Sequence, residues 1–154
     1  MTVAIVWAGN PAHPNDHNRS LGFADIAPLL DLSEVRFLSL QQGPAAEVAR
    51  RRSGGRIEFL GDEVRDFSDT AAVLHLCDLV ISADTAVCHL AGALGRPVWT
   101  LLPYAPDWRW LLERDDSPWY PAMRLYRQKN SGDWPGAIEP VKRDLEELIG
   151  ARQG

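Results

Sequence analysis

The chain opens on an unbroken apolar run, Val3-Ala4-Ile5-Val6-Trp7-Ala8, closed by Gly9. The lack of polar alternation predicts a parallel strand covered on both faces. Similar runs recur at 35–40, 78–82 and 98–102, with a shorter one at 123–126. Residues 56–60 alternate polar and apolar side chains instead, the pattern of an edge strand. Between these runs lie stretches that predict helices, at about 20–30, 45–52, 69–76 and 85–94. A last one, 138–149, gathers Val141, Leu145, Leu148 and Ile149 on one face. Ser20 is placed to cap the first helix, and Ser68 or Asp69 the third. Gly95 suits the residue that ends the fourth, and Pro97 blocks its continuation.

Strands alternating with helices of this length predict an α/β fold, a Rossmann-like doubly wound parallel sheet of about six strands. Right-handed crossovers leave the six-strand dinucleotide-type order as the expected topology. With 154 residues and no repeat, low-complexity tract or linker, the sequence is expected to form one domain spanning 1–154. In such sheets ligands bind beyond the carboxyl ends of the strands, at the switch point between the first and fourth. That rule puts four polar stretches at the candidate site: 9–20, 41–44, 60–70 and 84–89.

Composition narrows the function classes. A net charge of −5 argues against nucleic acid, whose phosphates demand a basic face. No apolar run approaches the roughly 18 residues of a transmembrane segment. The first residues show no basic segment or cleavage site, so no signal peptide is expected. Cys77 and Cys88 have neither metal spacing nor a disulfide framework. Both read as buried small hydrophobes, which fits a reducing compartment and a cytoplasmic location. His13, Asp16 and His17 suggest a metal site only superficially, since Pro14 disfavours a helix there and no fourth ligand is evident. Asp115-Asp116 reads as solvated surface.

The sharpest chemistry lies in residues 78–97, where a buried strand runs into a helix with Asp84-Thr85 at the junction. A helix start offers free N–H groups and a partial positive charge, a ready site for a diphosphate. Thr85 and His89 are four residues apart, on one face, and can reach one ligand together. The competing reading makes Asp84-Thr85 a plain cap and His89 a core histidine. Cys88 and His89 are no nucleophile–base pair, because adjacent helical residues diverge by about 100°. Gln42, in Gln41-Gln42-Gly43, ends the second strand where this fold often meets base or ribose, with a plain turn as the alternative. Asp69-Thr70 begins another helix and offers a second phosphate or ribose contact, with capping alone as the alternative. Trp108, Trp110, Trp119 and Tyr120 follow the fifth strand and are expected mainly to pack, with stacking on a sugar face or base as the alternative. Asp107 and Arg109 are placed to pair near the cleft.

Asp84-Thr85-Ala86, His89-Leu90-Ala91 and Gly95-Arg96-Pro97 resemble the donor motif of the ADP-heptose:lipopolysaccharide heptosyltransferases. Asp66-Phe67-Ser68-Asp69-Thr70-Ala71-Ala72 and residues 103–110 extend the likeness. The chain is similar as well to C-terminal domains of bacterial tetratricopeptide-repeat proteins with glycosyltransferase-like halves. Trp7-Ala8-Gly9-Asn10-Pro11, Asn15-Asp16, Arg19-Ser20, Ser39-Leu40-Gln41 and Pro106-Asp107-Trp108-Arg109-Trp110 carry that second likeness. The resemblance implies the C-terminal half of a GT-B glycosyltransferase, which binds a nucleotide-sugar donor without a required metal. It implies that Asp84, Thr85 and His89 contact donor diphosphate and sugar. In the first loop Gly9 would allow a tight turn against phosphate, Arg19 would face the pyrophosphate and Asn10 the sugar. The chain departs from the family in having Ala86 where a glycine is usual and Arg19 in place of a first-loop lysine. Arginine clamps phosphate bidentately rather than as a point charge.

The expected function is donor binding within an inverting glycosyltransferase. The resemblance puts the general base in an N-terminal half, so catalysis by this chain alone is not expected. Upstream partners would be that acceptor half or tetratricopeptide repeats. The alternative is a non-catalytic interaction module that keeps the fold. A dinucleotide-dependent oxidoreductase is disfavoured because no Gly-x-Gly-x-x-Gly follows the first strand.

Overall fold

In a computed structural model describing residues 1–154, the opening apolar run forms β1 (Thr2–Val6) at the middle of a sheet. The remaining strands are β2 (Arg36–Ser39), β3 (Ile57–Phe59), β4 (Leu79–Ala83), β5 (Val98–Leu102) and β6 (Met123–Arg127). All pair in parallel, in the order β3-β2-β1-β4-β5-β6. The chain reverses direction of winding between β1 and β4, so the crevice opens where the sequence places it.

Successive β1 side chains feed two separate cores, as the strand's two-residue period requires. Val3, Ile5 and Trp7 face α2 (Phe23–Ile26), α3 (Gly43–Arg52) and α6 (Trp134–Gln153). Ala4 and Val6 face α4 (Phe67–Leu76) and α5 (Ala86–Ala93). Between β5 and β6 there is no α-helix. Trp110, on a single 3₁₀ turn (Trp108–Trp110), is 1% exposed and closes the second core in a helix's place.

Several predicted boundaries move, each for a local reason. The expected helix at 20–30 is broken into a one-turn α1 (Asp16–Arg19), α2 and a 3₁₀ turn (Ala27–Asp31). Gly22 starts α2 from an extended conformation, and Pro28 lacks the N–H that α-helical continuation needs. Ser20 starts no helix but ends α1, its N–H donating to Asp16 O, while its hydroxyl accepts from Gly9 N and donates to the Asp16 carboxylate. Asp66, rather than Ser68 or Asp69, caps α4, accepting from the N–H groups of Ser68 and Asp69. The last helix begins at Trp134, four residues ahead of the expected 138, because Asp133 caps it with Pro135 in its first turn. No helix is long and apolar enough to cross a membrane.

Candidate donor site at the carboxyl ends of the strands

The site is assembled where β1 and β4 end side by side. Just past β1, the chain turns away from the sheet, and the backbone there needs new partners. The buried Gln41 supplies them from the end of β2. Its Oε1 accepts from Trp7 N at 3.1 Å and Ala8 N at 2.9 Å, while its Nε2 donates to Ala8 O at 3.0 Å. The carboxamide thus stands in for the next peptide of the ladder and lets the two strands part. The gap becomes a cleft of about 710 Å³, lined by Val6, Gly9, Asn10, Leu40, Gln42 and Val87 among others.

A smaller, more polar cleft of about 230 Å³ lies beside it, walled by His13, Asp84, His89, Asp107 and Arg109. Arg19, Thr85 and Ala86 border both. Arg19 is fixed at two of its nitrogens: Nε donates to Asp16 Oδ1 at 3.3 Å, and Nη1 to Asp84 O at 3.1 Å. Its Nη2 makes no hydrogen bond within the chain and lies over Gly9, on a side chain that lines both clefts. Gly9 makes this placement possible, since a Cβ there would come within 2.6 Å of both Arg19 Nη2 and Asp16 Oδ1.

At the start of α5, Thr85 is in extended conformation and its Oγ1 accepts from Val87 N at 3.3 Å, so the capping expected of this residue is present. The same hydroxyl lies 3.2 Å from Ser82 Oγ, whose own hydrogen goes to Ala83 O. Asp84 and His89 meet one turn apart. His89 Nε2 faces Asp84 Oδ1 at 3.5 Å, while Trp110 Nε1 donates to Asp84 Oδ2 at 2.9 Å. His89 also stacks on Trp110, with ring centroids 5.1 Å apart, and its Nδ1 lies 3.0 Å from the Tyr120 hydroxyl. Asp107 and Arg109 pair at 2.8 Å, as their spacing suggests, and the Arg109 guanidinium holds the Asp107 carboxyl below its ordinary range.

The residues singled out in the sequence divide in two. Gly9, Asn10, Arg19, Gln42, Asp84, Thr85 and His89 come together at the two clefts. Asn10 is exposed and its Oδ1 accepts from Ala12 N; the exposed Gln42 spans to the carbonyls of Gly61 and Val64. Asp69 and Thr70 border neither cleft. Asp69 pairs with Arg65 at 3.1 Å, and the buried Thr70 returns its hydroxyl to Asp66 O. The sequence gives Gln41 no role apart from its neighbour, and favours packing over ligand stacking for Trp110 and Tyr120. The available signal is Gly92, which reads in sequence as a small residue that lets its helix lie close to the sheet but is explained by the Tyr120 ring: a Cβ there would lie 2.5 Å from Tyr120 Cγ.

One group has metal-like proximity. The ligand atoms of Asp84, Cys88 and His89 lie within 4.8 Å of one another. Burial pushes the Cys88 thiol up to about 12, and the thiol donates to Thr85 O. A neutral, engaged thiol is a poor ligand, because metals take the thiolate.

Comparison with known proteins places this geometry. Residues 64–127, which run from ahead of α4 through β6, match glycosyltransferase family 9 (heptosyltransferase). Protein FlbA of Caulobacter vibrioides is 34% identical over 151 residues, covering 95% of this chain and 25% of that protein. Among solved structures, E. coli heptosyltransferase WaaC with ADP-2-deoxy-2-fluoro heptose superposes with a TM-score of 0.67 at 23% identity, over 95% of this chain and 43% of WaaC. E. coli ADP-heptose lps heptosyltransferase II gives 0.68 at 15% identity, over 99% of this chain and 47% of that enzyme. The chain therefore spans less than half of either enzyme and a quarter of FlbA. Its α/β fold is that of these heptosyltransferases, matching the C-terminal half of a GT-B glycosyltransferase, and residues 64–127 are similar to glycosyltransferase family 9.

Proposed function

We propose that this domain binds the nucleoside diphosphate of a sugar donor, as one half of a glycosyltransferase that passes the glycosyl group to an acceptor held elsewhere in the protein. The observation that carries the reading is Arg19, which lines both clefts beside the start of α5 and is held by two neighbours with Nη2 left without a partner in the chain. A diphosphate seated there would meet a guanidinium and the positive end of a helix dipole at once. The larger cleft, with Gln42 on its wall, suits ribose and base; the smaller, with Asp84, Asp107 and His89, suits sugar hydroxyls. Donors aimed at the leaving diphosphate would stabilise the charge it gains as the glycosyl bond breaks. The acceptor's general base would come from the other half.

Thermal-shift scans with ADP, UDP and GDP test this. Saturation at a hundredfold excess over Kd stabilises the folded state by about 2.7 kcal/mol, enough to raise Tm by several degrees. Absence of a shift with all three would sink the reading. Binding is further expected to persist in chelator, because nothing at the junction offers an open set of ionised ligands. Loss of affinity in chelator, regained on adding magnesium or manganese, would contradict this.

A second reading is a non-catalytic interaction module. It is favoured by Tyr104, Trp108, Leu112 and Trp119, all more than half exposed along the stretch between β5 and β6. The nucleotide scans separate the two.

A further inference from the structure

The stretch between β5 and β6 contributes more than packing. It brings Trp110 and Tyr120 against Asp84 and His89, across 26 and 31 residues of sequence. We propose that Trp110 and Tyr120 are positioning residues which fix the tautomer of His89 and the plane of the Asp84 carboxylate at the mouth of the smaller cleft. The inference deepens the donor-site reading above and rests on it for the ligand, though not for the geometry.

The two hydrogen bonds and the His89–Asp84 contact determine one another. The Trp110 indole can only donate, so Asp84 Oδ2 is its acceptor at 2.9 Å. Asp84 Oδ1, at 3.5 Å from His89 Nε2, can only accept while the carboxyl is ionised. A neutral His89 is then biased towards carrying its hydrogen on Nε2, since two lone pairs facing each other at 3.5 Å would repel, and the Tyr120 contact at Nδ1 completes that bias. Nδ1 is left as an acceptor, and the Tyr120 hydroxyl at 3.0 Å donates to it. The chain of donors therefore runs from Tyr120 to His89 to Asp84, with Trp110 closing it from the other side. Packing holds the same arrangement. The buried Trp110 ring lies along the imidazole at an interplanar angle of 27°, and Tyr120 meets it edge-on at 67°. Gly92, one turn beyond His89, gives Tyr120 its seat on α5. A rotamer-rich histidine at a cleft wall would otherwise turn freely between its two ring orientations. Fixed as it is, His89 presents one edge, and Asp84 keeps its remaining lone pairs for hydroxyl groups of a ligand.

Tyr120→Phe removes the hydroxyl and keeps the ring on Gly92. The first readout needs no ligand: the ¹⁵N shifts of the His89 ring in the 154-residue chain, distinguished from the other three histidines by a His89→Gln control. The wild type is expected to show Nε2–H alone, and Tyr120→Phe a mixture with Nδ1–H. The second readout is affinity for whichever of ADP, UDP or GDP binds best, expected to weaken about threefold to tenfold with little change in Tm. Trp110→Phe should weaken it similarly and leave the tautomer in place. An unchanged tautomer in Tyr120→Phe would overturn the proposal, and so would a changed tautomer with unaltered nucleotide affinity. A wild type that shows the fixed tautomer but binds no nucleotide would sink the donor-site reading and leave the positioning geometry standing.

Discussion

Replacing Gln41 with leucine is expected to cost about 2–4 kcal/mol of folding stability, while the same change at Gln42 costs less than about 1 kcal/mol. The residues are adjacent and chemically identical, so the difference is entirely one of place. Gln41 is 4% exposed and its carboxamide bonds Trp7 N, Ala8 N, Ala8 O and Gln42 O. Leucine fills nearly the same volume but offers none of these bonds. The Trp7 N–H would then be buried without an acceptor, and a lost partner of that kind costs about 1–3 kcal/mol on its own. The half-buried Ala8 can recover part of its loss from water. Gln42 is exposed, and its two bonds to Gly61 O and Val64 O are replaced by solvent when it is removed. Urea unfolding of both variants measures the contrast. Equal midpoints for the two would show that Gln41 does not hold the end of β1. Because Ala8 and Gly9 lead directly into the Arg19 loop, the Gln41 variant should also bind nucleotide more weakly at temperatures where it remains folded.

That contrast marks where the sequence stopped being readable. Strands were legible because a doubly covered parallel strand has to be mainly apolar, and β1, β4 and β5 each carry a single hydroxyl residue among apolar ones. Their order followed from crossover handedness, a rule that needs only the alternation of strand and helix. The Asp84-Thr85-His89 face was legible because it depends on a local helical repeat and a strand ending just before it. Beyond a strand end no such period exists. Whether Gln41 or Gln42 points inward turns on one residue of register at the last β2 position, and nothing in the flanking Ser39-Leu40 or Gly43-Pro44 decides it. Asp69-Thr70 was misplaced for a similar reason. A run of Asp66, Ser68 and Asp69 offers three capping oxygens, and the cap at Asp66 turns Asp69 towards Arg65 instead of the cleft. Trp110 and Tyr120 reach their partners through an irregular stretch with Leu111 and Glu113 at positive φ, held by Arg127 bonding to the carbonyls of Trp110, Leu111 and Arg114. A path of that kind is fixed by contacts distant in sequence, and residue pattern alone carries no trace of it.

Arg19→Ala is expected to weaken nucleoside diphosphate binding by roughly tenfold to a hundredfold, the largest effect of any single change at the site. A hydrogen bond to a charged group is worth about 1.5–3 kcal/mol, and here it joins a guanidinium to an anion. The stability cost should be small by comparison. Arg19 gives up a 3.3 Å pairing with Asp16 and one bond to Asp84 O, both at the rim of the clefts. Asp16 keeps its bond from the Ser20 hydroxyl, so the loop retains that anchor. Salt separates this effect from a merely structural one. The Coulombic part of the wild-type affinity should fall as ionic strength rises past about 0.15 M, where the screening length shrinks to about 8 Å. The variant, having lost that part, should respond less steeply, and the two affinities should converge at high salt. Arg19→Lys should recover only a fraction of the loss. An ammonium keeps the charge, but it lacks the planar fork that lets Nε and Nη1 bind Asp16 and Asp84 O while leaving Nη2 without a partner in the chain. Binding isotherms for the wild type and both variants at two ionic strengths decide the matter. An alanine variant that binds as tightly as wild type at low salt would remove Arg19 from the site and with it the main support for the donor reading.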